Sequence, residues 1–285
     1  MVIDFHTHVF APDIKHDRSP YLAADQNFAE LYASKKSAVA TADELIDALD
    51  RAGIARAVIV NIDWASHELC RRTNDYIMQS VARYPDRLVG FGTVSPQAGE
   101  AALAELDCLA DGGIRGIGEI RPDANWLDPT ATPVIEPLLD KLRAYRMILL
   151  LHTSEPVGHN YPGKGDIIPS CLYPFLIRYP AVNIVCAHWG GGLPFYFLMP
   201  EVRRALPHVY FDTAASPLLY ESRIYQQVIQ LVGSDRILFG SDWPLLGPER
   251  SLAEVNALDI DEATRHQILE GNAIRLLEPP APAGD

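Results

Sequence analysis

Basic charge is short in this sequence: 24 lysines and arginines stand against 37 aspartates and glutamates in 285 residues, a formal net charge of −13. Affinity for nucleic acid rests on Lys and Arg neutralising phosphates, so this balance argues against a nucleic-acid partner and disfavours an anionic membrane surface. Long apolar runs are lacking too. No stretch approaches the roughly 20 residues needed to cross a bilayer, and no basic segment followed by an apolar run begins the chain. Cysteine is sparse, and Cys70, Cys108, Cys171 and Cys186 form no C-x-x-C pair. Scattered thiols of this kind suit a reducing compartment, so the expected location is the cytoplasm and the expected role of the thiols is packing. Repeats and linkers are absent, and only the tail from Glu278 to Asp285, with Pro279, Pro280 and Pro282, is expected to be flexible.

What is present, at 48% hydrophobic and 21% charged residues, is the composition of a soluble chain with a sizeable core. Apolar, β-branched runs recur at Val2 to Phe5, Ala57 to Val60, Leu88 to Phe91, Gly116 to Ile120, Met147 to Leu151, Val182 to Ala187, Val209 to Phe211 and Arg236 to Phe239. Helix-like segments separate them, the clearest being Thr41-Ala42-Asp43-Glu44, a capping-box pattern leading into a helix that stops at Gly53. Strands alternating with helices imply parallel βαβ units, and near-continuous apolar strands imply burial on both faces. The expected fold is a single α/β barrel, (β/α)8, over residues 1–277. Two connections exceed ordinary loop length, Val9 to Ala40 after the first strand and Thr153 to Gly165 after the fifth, and are expected to fold over the barrel mouth.

His6 and His8 alternate on the first strand, so both project to one face, where two imidazoles can grip one ion. Glu119, His152, His188 and Asp242 end the fourth, fifth, sixth and eighth runs, which places six metal-competent side chains around one rim. Glu119 has a plainer alternative as the partner of Arg115 or Arg121. Arg121, His159, Tyr161 and Lys164 are candidates for substrate contact, and Trp189 and Trp243, each just past a strand end, for an aromatic wall. Trp64 and Trp126 are taken as packing residues, and His16, His67, His208 and His266 as ordinary polar residues.

The words Asp4-Phe5-His6-Thr7-His8, Leu151-His152-Thr153, Ala187-His188-Trp189-Gly190-Gly191 and Phe239-Gly240-Ser241-Asp242-Trp243-Pro244 resemble the amidohydrolase superfamily. The branch they look like contains aminocarboxymuconate-semialdehyde decarboxylase and its hydrolase relatives. The resemblance implies that His6, His8, His152 and Asp242 hold a divalent ion, zinc first, and that His188 is the acid or base beside it. Glu119 lies where some relatives carry a carboxylated lysine, and resembles instead the glutamate of TatD-like nucleases, which would make His188 a ligand of a second ion. The leading expectation is a metal-dependent hydrolase of a small amide, ester or lactone, with Asp242 or His188 moving the proton. A non-oxidative decarboxylase is the alternative, followed by a TatD-like two-metal hydrolase and a metal-binding barrel without catalysis. A small-molecule substrate is the expected partner, and a homodimer stays open.

Overall fold

The computed structural model describes residues 1–123 and 125–278. Eight parallel strands follow one another around a nearly closed barrel: β1 (Ile3–His8), β2 (Arg56–Val60), β3 (Leu88–Gly92), β4 (Gly116–Ile120), β5 (Ile148–Leu151), β6 (Ile184–Cys186), β7 (Val209–Asp212) and β8 (Ile237–Leu238). Helices lie between them, as the periodicity predicts. Alternate strand residues enter different clusters: Val58, Val60, Ile148, Leu150 and Val185 pack together, whereas Ile59, Leu149, Leu151 and Ile184 pack with helical Leu45, Leu106 and Leu138. The first set therefore fills the barrel and the second joins it to the helical ring.

β1 and β8 meet at a seam made of a few backbone bonds, Phe5 N to Phe239 O at 2.7 Å, Asp242 N to His6 O at 2.9 Å and His8 N to Trp243 O at 2.6 Å. Glycine is required in β4 because a Cβ on Gly116 would lie 2.5 Å from Ile148 O, and one on Gly118 would lie 2.6 Å from Leu150 O. The strands could not otherwise approach so closely.

The first long connection carries three short helices, α1 (Pro12–His16), α2 (Ser19–Ala24) and α3 (Gln26–Tyr32). Asp25 holds them twice, capping α3 through Phe28 N at 3.1 Å and accepting from Ser66 N at 3.0 Å. A satellite core of Phe10, Ile14, Tyr21, Phe28 and Trp64 lies beneath, with Phe28 and Trp64 stacked at 4.9 Å. The capping box before α4 (Ala42–Ala52) forms with both of its hydrogen bonds, and Gly53 takes the left-handed cap. Cys70 and Cys186 are buried, but Cys108 and Cys171 are exposed, so packing accounts for only two of the thiols. Of the tail expected to fray, residues 279–285 lie outside the described residues; Glu278 accepts from Arg56 at 2.7 Å. Among the described residues no helix is long and apolar enough to cross a membrane.

Candidate metal centre

At the C-terminal rim, the strand ends aim imidazoles and carboxylates at one point. His6 Nδ1 donates to Asp212 Oδ2 at 2.8 Å, which turns its Nε2 toward His8 Nε2, 3.1 Å away. Two imidazole nitrogens this close need a proton or a cation between them. Around the pair stand Glu119 Oε2, 3.6 Å from His6 and 3.5 Å from His8, and Asp242 Oδ1, 3.8 Å and 3.3 Å away. Ligands about 2.1 Å from one ion in a tetrahedron stand about 3.4 Å apart, so this donor set fits a divalent cation in spacing and chemistry.

The other oxygen of Glu119 faces a second group. Its Oε1 lies 3.0 Å from His152 Nδ1 and 3.1 Å from His188 Nε2. His188 Nδ1 donates to the Ala214 carbonyl at 3.1 Å, which fixes its tautomer and points Nε2 inward, the arrangement usual for a metal-facing histidine. His6, His8 and Glu119 thus form one metal-competent triad, and Glu119, His152 and His188 another. The plainer partner for Glu119 is not used: Arg121 pairs with Glu30 instead, at 2.5 Å.

Electrostatics follow from burial. Desolvation alone would lower the histidines, but Glu119 and Asp212 hold His6 well above the usual imidazole range, and Glu119 brings His188 up to about 9. Burial would raise the carboxyls, yet the charges of His6 and His152 hold Glu119 well below its usual range, and the His8 bond with the charges of His6 and His188 brings Asp242 down to about 2. The rim is built for cations and holds protons where a metal would displace them. His188 and Asp242 also adopt the left-handed region, with φ of 56° and 65°. Non-glycine residues adopt that conformation at a cost, and here it swings both side chains into the site.

Above the ring opens a cavity of about 430 Å³. The candidates His8, Glu119, His152, His188 and Asp242 line it, as do Arg121, His159 and Tyr161. Trp189 and Trp243 do not: Trp189 is fully buried, donating to Ser216 Oγ and packing on Tyr225, and Trp243 belongs to the core. The apolar wall comes instead from Leu31, Tyr32, Ile62, Leu218 and Leu245, residues with no strand-end signature. Lys164 is tied to its own loop, donating to the carbonyls of Val157 and His159. Sequence reasoning also missed Asp212, the carboxylate ending β7, which orients His6 and accepts from His188 N at 2.9 Å. Its signal was positional, since β7 ended in a carboxylate and was assigned no rim residue.

The amidohydrolase family model matches residues 3–278. The chain is 26% identical over 250 residues to gamma-resorcylate decarboxylase of Rhizobium radiobacter, covering 74% of this chain and 76% of that one. It is 24% identical over 292 residues to 4-sulfomuconolactone hydrolase of the same organism, covering 96% and 88%. Among solved structures, 5-carboxyvanillate decarboxylase from Novosphingobium aromaticivorans, complexed with manganese and 4-hydroxy-3-methoxy-5-nitrobenzoic acid, superimposes with a TM-score of 0.75 at 18% identity over 97% of this chain and 96% of that one. At that identity the likeness is one of fold.

Proposed function

The chain belongs to the amidohydrolase family, and on that premise we propose that it is a metal-dependent, non-oxidative decarboxylase of a small unsaturated or aromatic acid. The observation that carries this reading is a ring of imidazoles and carboxylates opening directly into an apolar-walled cavity of about 430 Å³, room for one ring-sized acid. The decarboxylase relatives support it, and it takes precedence over the hydrolase expected first from the sequence. His6, His8, Glu119 and Asp242 would hold a divalent ion; manganese in the structural neighbour supports such an ion, and zinc is equally compatible with the donors. When bound, the ion supplies a Lewis acid that holds negative charge on a substrate oxygen.

The protein's own groups then manage one proton. His188 keeps its Nδ1 on Ala214 O and carries the movable proton on Nε2, at the cavity wall. That proton goes to the carbon bearing the carboxyl group, the carbon–carbon bond breaks with its electron pair left on that carbon, and the carboxyl departs as CO2. The hydrophobic walls exclude water from the charge that develops. Manganese-loaded protein incubated with hydroxybenzoate and carboxymuconate acids is expected to release CO2, chelation to stop release, and His188→Asn to slow it about 10²-fold or more. No CO2 from any such acid would sink the reading.

One observation favours a second reading, lactone hydrolysis: Glu119 shares its two oxygens between two triads, a placement suited to two ions that activate water, and the lactonase relative spans 96% of the chain. Ring opening of a muconolactone without CO2 release would favour it.

A further inference from the structure

Among the described residues lining the cavity, Arg121 is the single lysine or arginine. It directly follows β4, two residues beyond Glu119, so its Cα stands about 6–7 Å further along the wall than the metal-competent carboxylate. Three segments meet around it. Glu30 of α3 pairs with its Nη2 at 2.5 Å, the carboxyl of Asp63 faces its charge from the loop after β2, and its stem passes beside Gly165 in the loop after β5. The Arg121 side chain is largely buried at 17% exposure, whereas that of Glu30 is 46% exposed. An ion pair with one partner half in water contributes little, so exchanging Glu30 for another carboxylate costs little. A guanidinium presents a forked pair of donors suited to such an exchange.

The chemistry restricts which anion this is. A carboxylate about to leave as CO2 loses its charge on the way to the transition state, so a cation holding it would favour the ground state and slow the step. An anion that survives the reaction carries no such penalty. We propose that Arg121 binds a second anionic group of the substrate, untouched by the reaction, that Glu30 occupies Arg121 until it arrives, and that the substrate is therefore a small dianionic acid. The inference rests on the proposed function in taking the reaction to be loss of CO2 at the Glu119 end of the cavity.

Calorimetric binding of benzoate and isophthalate to the manganese-loaded full chain tests it. Isophthalate is expected to bind about tenfold or more tighter than benzoate in the wild type, Arg121→Gln to abolish that ratio, and Glu30→Gln to widen it. Equal affinities in the wild type, a ratio that survives Arg121→Gln, or one that Glu30→Gln leaves unchanged overturns the proposal. Should Arg121→Gln not fold, Arg121→Lys decides, because an ammonium keeps the charge without the fork: a narrowed ratio supports the proposal and an undiminished one overturns it. Absence of CO2 release, with the ratio still collapsing in Arg121→Gln, would sink the proposed reaction and leave this anion subsite standing.

Discussion

Glu119 is the residue on which the chemistry of the rim turns, because its two oxygens face different imidazole pairs. If one ion binds, Oε2 of Glu119 joins His6, His8 and Asp242 around it, and His188 keeps its proton for transfer. If two bind, Oε1 joins His152 and His188 around the second, and His188 loses that freedom. Metal content per chain separates the cases. One ion is expected in the wild type and in His188→Asn, with Glu119→Gln weakening but not abolishing uptake; two ions falling to one in both variants would overturn the decarboxylase assignment of His188. His6, His8, His152, His188 and Asp242 were legible because each ends an apolar run, and a barrel delivers strand ends to one place. Asp212, Tyr32 and Asp63 were not, since their roles depend on what lies across the mouth. Trp189 and Trp243 misled for the same reason: the strand end fixes a backbone position, whereas the local turn decides whether an indole faces the cavity or the core.

Among elements, the loop after β6 is the least tolerant. A Cβ on Gly191, at φ 58°, would lie 2.2 Å from the carbonyl oxygen of Ser154, whereas at Gly53, with φ 68°, a Cβ would meet nothing within 4 Å. Gly53→Ala is therefore expected to cost about 1–2 kcal/mol, the left-handed penalty alone. Gly191→Ala should add about 1–3 kcal/mol for displaced backbone and shift His188 as well. Urea unfolding of both variants checks this, and equal losses would show that the contact with Ser154 does not matter. The strands and the capping box before α4 could be anticipated because their signals are local. The helices α1 to α3 could not, because what orders them is the contact of Asp25 and Phe28 with Ser66 and Trp64, brought together by the fold.

For the whole molecule, the rim makes stability depend on pH and metal together. His188, raised to about 9, contributes stability to the metal-free protein that is fully present below 6.5 and lost as pH rises through about 9. Asp242, depressed to about 2, contributes stability that is present above 3.8 and lost only as pH falls through about 2. Metal-free protein should thus melt at a lower temperature at pH 9 than at pH 6, while the gain on adding manganese grows over that interval, since each proton displaced from an imidazole changes affinity about tenfold per pH unit. Thermal melts at the two pH values, with and without metal, measure both trends, and a metal-induced shift independent of pH would contradict the cation-hole description of the rim. The seam between β1 and β8 has a consequence for biosynthesis. Synthesis runs from His6 and His8 towards Asp242, which faces them across that seam, and more than 230 residues separate them along the chain. A chain stalled before Asp242 therefore has the histidines without their carboxylate clasp, and full metal loading becomes a mark of synthesis carried past β8.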